Sequence, residues 1–145
     1  ETNVKDIVSS LVQLKREPIL IIVDSRSHIK QTQTYATCFD NHYDKHHFIS
    51  MAQLEDLSFS QQQTQLKDAK VLTIKDTDPV SNALIFFEPK TVVISESTKP
   101  TRLRDILASC TNTDLILFFD PDKQINVPSR IKNYCKRRFG GVNVI

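Results

Sequence analysis

Three short apolar runs in this chain each end on an acidic residue. The acids are Asp24, Glu96 and Asp120, and they follow runs at 19–23, 92–95 and 115–119. Short runs rich in β-branched residues, without polar alternation, are typical of strands buried on both faces. Such strands form parallel sheets covered by helices, and ligands bind outside the carboxyl ends of these strands. The sequence therefore predicts an α/β fold with acids along one edge of its sheet.

The rest of the chain alternates between strand and helix patterns. Further strands are predicted at 47–50, 70–74 and 142–145, and helices at 4–14, 25–39, 100–110 and 127–139. Ser97 or Thr98 is expected to cap the third of these helices, and Pro128 to occupy the first turn of the last. Residues 81–87 favour a short helix or a strand, and 51–69 one or two helical turns and a mobile loop. This alternation predicts a single three-layer Rossmann-like sandwich with a mainly parallel sheet, in either of two doubly wound strand orders.

Glycine is scarce, and this excludes several familiar chemistries. The chain has two glycines, Gly140 and Gly141, and both lie near its C-terminus. Phosphate-binding loops and nucleophile elbows need glycine at sharp turns. The sequence therefore offers no support for a phosphate loop or for nucleophilic catalysis.

The acids after the strands indicate one possible enzyme. Asp24, Glu96, Asp120 and Asp122 would meet at one edge of the sheet, where carboxylates could hold Mg²⁺ for phosphoryl transfer or nuclease chemistry. The D-x-D pair is similar to the Toprim pattern, although Glu96 lies closer to it than usual and lacks the following glycine. Acids at strand ends also cap helices and satisfy loop amides, and this structural interpretation is favoured.

The last predicted helix is strongly basic. Its cations are Arg130, Lys132, Lys136, Arg137 and Arg138, interleaved with Tyr134 and Phe139. Basic side chains near aromatic rings can bind phosphates and stack on bases. Cations near a helix C-terminus are also favoured by the macrodipole without any ligand. Both explanations stay open, because the net charge of +2 is too small to decide between them.

Two other residue groups carry weaker signals. His42, His46 and His47 lie near Asp40 and Asp44, a composition that can bind zinc, although a solvated loop is the favoured interpretation. The three cysteines are widely spaced and are expected to be reduced thiols of an intracellular protein. No apolar run approaches the roughly 20 residues of a membrane span, so no membrane association is expected. At 145 residues, the chain is expected to be one domain of a larger protein.

Two segments resemble a known protein family. Residues 5–25 are similar to the helix and strand of motif IV in the second RecA-like lobe of superfamily-two helicases and chromatin remodellers. Residues 113–141 are similar to the strand that leads into motif VI, with its arginine-bearing helix. An inactive helicase-like region of the XPF type fits nearly as well. The glycines of motif VI are missing, and motif V has no counterpart at 71–78.

The resemblance implies a degenerate lobe that has retained the helicase fold and lost the motor activity. Such a lobe would be a non-catalytic pseudoenzyme without a cofactor, in a nuclear assembly, and would dock nucleic acid or partner proteins. The basic helix would be the nucleic-acid surface, and Phe86, Phe87 or residues 51–66 could meet a protein partner. A Mg²⁺-dependent enzyme and a pure protein scaffold remain the alternatives.

Overall fold

The computed structural model describes residues 3–79, 83–95, 100–119, 127–141 and 143–144. The strands are β1 Ile19–Val23, β2 Phe48–Ser50, β3 Val71–Lys75, β4 Thr91–Ser95, β5 Leu115–Phe119 and β6 Asn143–Val144. The helices are α1 Val4–Gln13, α2 His28–Phe39, α3 Phe59–Asp68, α4 Ala83–Phe86, α5 Pro100–Ala108 and α6 Ser129–Phe139. Two 3₁₀ turns flank β2, at Lys45–His47 and Met51–Leu54.

All strand pairs are parallel, which confirms the predicted α/β sandwich. The strand order is β2-β3-β1-β4-β5-β6. This differs from both predicted doubly wound orders, because β3 inserts between β2 and β1. The central strand β1 is therefore paired on both sides, with Ile19 opposite Val71 on one neighbour and Thr91 on the other.

The sheet separates two apolar cores. Alternate residues of a strand point to opposite faces, so Ile19, Ile21 and Val23 pack with α1 and α2. Leu20 and Ile22 face the other core, with α3, α5 and α6. Every residue of β1 is buried, which explains why the run lacks polar alternation. Because the helix after β1 and the helix after β4 cover opposite faces, the carboxyl ends of these strands border a topological switch point.

Residues 51–69, predicted as one or two helical turns and a mobile loop, are mostly helical, so the predicted loop is wrong. Residues 59–68 form α3, which begins with a reciprocal capping box between Ser58 and Gln61. Gln62 then donates hydrogen bonds to the carbonyls of Leu54 and Leu57, at 2.9 and 3.1 Å. Glutamine is a good helix former, so a glutamine tract after such a cap continues the helix.

Four smaller expectations concern the ends of helices and the exposure of Phe87. Pro128 is the N-cap residue of α6, so the helix begins at Ser129, two residues later than predicted. Phe87 is 1% exposed and belongs to the core, so it cannot meet a partner as predicted. The predicted caps Ser97 and Thr98 lie outside the described residues. Gly140 ends α6 as predicted, with a left-handed φ of 85° that favours glycine.

Candidate functional site

Asp24 lies at the carboxyl end of β1, and its carboxylate is already bonded. Arg26 donates to it from Nη2 at 2.6 Å, from Nε at 3.1 and 3.2 Å, and from its backbone N–H at 2.9 Å. The Asp24 side chain is 4% exposed, whereas that of Arg26 is 78% exposed. The Arg26 hydrogen bonds hold the pKa of the Asp24 carboxyl below its ordinary value, against the opposing effect of burial. Asp24 is therefore an ionised group whose partner reaches into solvent.

Asp76 and Asp78 form a second acidic pair at the same edge. The Oδ1 atom of Asp76 accepts the backbone N–H of Ser25 at 3.0 Å. The Oδ2 atom of Asp78 accepts the N–H of Lys75 at 2.9 Å. These acids satisfy loop amides after β1 and within the turn after β3. Neither acid was among the predicted site residues, although Asp76 follows β3 as Asp24 follows β1.

Only one of the four predicted Mg²⁺ ligands can be compared with the structure. Glu96, Asp120 and Asp122 lie outside the described residues. Asp24 is described, and its contacts match the structural interpretation of strand-end acids, because both of its oxygens accept hydrogen bonds from Arg26. The Mg²⁺-dependent reaction stays a prediction.

Two crevices of about 330 Å³ each open beside α2 at this end of the sheet. The first lies between α2 and the segment around Met51, and its lining includes Thr73, whose buried hydroxyl has no hydrogen-bond partner among the described residues. The second is bordered by Gln31 and Ser95. The Gln31 Oε1 atom is likewise unbonded within the described part of the chain, while its Nε2 donates to Ser27 at 2.8 Å. Such crevices can accept a small polar group.

The structure places the predicted basic residues on the outside of α6. Ile131 and Cys135 form its buried face, and all five cations are exposed. Arg130 and Arg137 are seven residues apart and share one side of the exposed surface, while Lys132 and Lys136 share the other. The helix contains no acidic residue. The ion pairs among the described residues all lie elsewhere, so no described acid pairs with the cations of α6.

Arg138 has a structural function that the sequence did not indicate. Its guanidinium donates to the carbonyls of Leu107 and Cys110 at 3.0 and 3.2 Å, and to the Tyr134 hydroxyl at 2.7 Å. These carbonyls lie at and just beyond the C-terminal end of α5, where the Leu107 carbonyl also accepts the Cys110 N–H at 3.1 Å. Arg138 thus caps α5 and connects it to α6. The other four cations make no hydrogen bond to the described residues.

Arg104 of α5 extends the basic surface, and sequence reasoning missed it. Its guanidinium lies over the Tyr134 ring, 5.6 Å from the centroid. The side chain is exposed. No sequence signal could have found it, because only the packing of α5 on α6 brings it there. We define the basic surface as Arg104, Arg130, Lys132, Lys136 and Arg137.

The predicted histidine cluster is only partly assembled. One ligand atom each from Asp44, His46 and His47 lies within 4.8 Å of the others. His42 and Asp40 are not part of this group. The group lies beside the edge strand β2, at the opposite side of the sheet from β5 and β6.

Comparisons with known proteins give no relative. No protein family, curated protein or solved structure matches this chain. None of the described helices is long and apolar enough to span a membrane.

Proposed function

We propose that this domain is a non-catalytic docking module that binds the phosphate backbone of nucleic acid through its basic surface. The observation that carries the proposal is the position of Arg130 and Lys132. Both lie among the first four residues of α6, where the helix macrodipole disfavours cations by about 0.3–1 kcal/mol each. The dipole explains Lys136 and Arg137 at the other end, but it does not explain the first two cations, and neither forms an ion pair with a described residue.

The geometry favours contacts to phosphate over stacking on bases. The Tyr134 ring already has Arg104 over its face and Phe139 at its edge, with centroids 6.3 Å apart. A ring held in this way is a poor platform for a base. Exposed arginines and lysines instead neutralise phosphates and release counterions, which gives binding without sequence preference.

The wider setting of the proposal is a degenerate helicase-like lobe in a larger nuclear assembly. It is supported by the resemblance of residues 5–25 and 113–141 to helicase motifs IV and VI. In such an assembly the domain would supply a contact to DNA or RNA, and the chemistry would belong to other components.

The test is fluorescence anisotropy with labelled single- and double-stranded DNA and RNA, with and without Mg²⁺. One phosphate contact from each of the four α6 cations of the basic surface gives a slope of about −3.6 in log K against log salt for duplex DNA. Raising salt from about 50 to about 200 mM should therefore weaken binding roughly 100-fold. Arg130→Glu with Arg137→Glu should abolish this binding. Lys5→Glu with Lys67→Glu is the matched control, because both lysines are exposed on other helices and the change in net charge is the same.

The same titration can contradict the proposal in two ways. If the control variant loses as much affinity as the Arg130/Arg137 variant, binding reflects net charge and not this surface. If the labelled strand is cut only when Mg²⁺ is present, the phosphoryl-transfer alternative replaces the docking function, and Asp24→Asn should then abolish cleavage.

A protein-docking function is the second candidate, and one surface favours it. Phe59 is 60% exposed at the start of α3, and its ring meets that of Phe86 edge-on at 5.0 Å. Ile85 is 64% exposed on the adjacent α4. An apolar patch of this kind is typical of protein interfaces. Phe59→Ser should abolish binding to a protein partner and leave nucleic-acid affinity unchanged.

A further inference from the structure

The segment between α2 and β2 contains an unusual group of potential metal ligands. Asp44 precedes the 3₁₀ turn Lys45–His47, and this short turn brings two consecutive imidazoles back beside the carboxylate. One ligand atom from each of Asp44, His46 and His47 lies within 4.8 Å of the others. The rings of His46 and His47 have centroids 3.9 Å apart. Nothing in the basic surface or its proposed function uses these residues.

His47 is held in the orientation and tautomer that metal ligands need. Its Nδ1 lies 2.7 Å from the carbonyl oxygen of Asp68. A carbonyl oxygen only accepts, so Nδ1 must carry the proton, and the lone pair of the neutral ring is then on Nε2. Metal-binding histidines almost always donate their other ring N–H in this way, which fixes the ring and raises its basicity.

The other two potential ligands have no competing hydrogen bonds among the described residues. Asp44 is the N-cap residue of the turn, yet its side chain makes no capping hydrogen bond. His46 is exposed and makes no hydrogen bond within the described part of the chain. Both side chains can therefore turn toward an ion without giving up an existing contact.

The scaffold beneath the group is ordered by aromatic packing. Tyr43 packs edge-on against the His47 ring, with centroids 6.4 Å apart, and stacks on the buried Phe39. The Lys70 ammonium lies over the Tyr43 ring, 4.8 Å from its centroid. Because His47 is fixed by this packing and by Asp68, only the more exposed ligands must adjust when an ion binds.

We propose that Asp44, His46 and His47 form a site for a divalent transition metal ion, with Zn²⁺ as the expected occupant. Two imidazoles and a carboxylate suit zinc, whose bonds of about 2.0–2.1 Å place tetrahedral ligands roughly 3.3 Å apart. The ligand atoms lie within 4.8 Å of one another, so the side chains must close by up to about 1.5 Å to reach this spacing. Three protein ligands leave a fourth position for water or for a ligand from outside the chain.

The experiment is isothermal titration of Zn²⁺ into the purified chain. All variants carry Cys38→Ser, because Cys38 is the least buried of the three free thiols. The unmodified site should bind one Zn²⁺ per chain, and His46→Ala should weaken binding by more than about tenfold, because even the loss of a residue that only orients a ligand typically costs about 10–100-fold. His42→Ala is the matched control, since it removes a nearby exposed histidine that lies outside the group.

A second measurement separates metal binding from folding. In a long-range proton–nitrogen NMR spectrum, His47 should show a protonated Nδ1 before zinc is added. The Nε2 signal of His47 should then shift as zinc binds, in wild type but not in His46→Ala. Equal losses of zinc affinity in His42→Ala and His46→Ala would overturn the proposal, as would a His47 ring protonated on Nε2.

Discussion

The hydrogen bonds of Arg138 predict that it stabilises the fold, whereas its neighbour Arg137 does not. Arg138→Ala removes two charged hydrogen bonds to the carbonyls at the end of α5, at 3.0 and 3.2 Å, and one to Tyr134. A hydrogen bond contributes about 1 kcal/mol net, and the charged bonds of Arg138 gain little beyond this value because the arginine is exposed to solvent. We therefore expect a loss of about 2 kcal/mol, counting the two carbonyl bonds.

Urea and thermal unfolding followed by circular dichroism measure this loss directly. For a chain of this size, about 2 kcal/mol corresponds to a fall in Tm of roughly 6 °C. Arg138→Lys should recover about half, because one ammonium cannot donate to both carbonyls in the geometry of a guanidinium. Arg137→Ala is the matched control and should stay within about 0.5 kcal/mol of wild type. If Arg138→Ala is as stable as Arg137→Ala, the capping argument is refuted.

Three further predictions concern single residues. The lowered pKa of Asp24 means that its ion pair stabilises the fold above the ordinary carboxyl pKa and stops doing so as pH falls through the folded value. Asp24→Asn should thus cost about 1 kcal/mol at neutral pH, and urea melts should show this gap closing below about pH 4. Burial raises the pKa of the Cys110 thiol to about 11, so alkylation of the native protein followed by mass spectrometry should modify Cys38 first and Cys110 only after unfolding. Gly140→Ala should destabilise by about 1 kcal/mol in the same melts, because alanine is strained at a φ of 85°; an unchanged midpoint would contradict this.

The sheet could be predicted from the sequence because its strands leave a strong local signal. The run at Ile19–Val23 has no polar residue, and the structure buries all of it. The order of the strands has no such signal, because the position of β3 between β2 and β1 depends on how the segment containing α3 crosses the sheet. The helix α3 was predicted partly as a loop for a related reason. Its glutamine tract is helical because of a capping box and because Gln62 bonds to earlier carbonyls.

The candidate site was predictable only in part. Charge and spacing identified the cations of α6, but not the proximity of Arg104, which depends on the packing of two helices. Likewise, the sequence showed histidines near acids, but only the structure shows which of them meet and that Asp68 fixes the His47 ring. Contacts between residues distant in the chain carry no local pattern, and these contacts decide what a polar side chain is available to do.

The hydrogen bonds of Arg138 determine which variant can test the basic helix. In the sequence, Arg137 and Arg138 look equivalent, and reversing both charges is the obvious variant. The structure shows that Arg138 caps α5, so this double variant would weaken the fold and the binding surface together. Reversing the charges of Arg130 and Arg137 separates binding from stability, because neither residue makes a hydrogen bond to the described residues and the two share one side of the helix. A loss of salt-sensitive binding in that variant, at unchanged Tm, would therefore report on the ligand and not on the stability of α6.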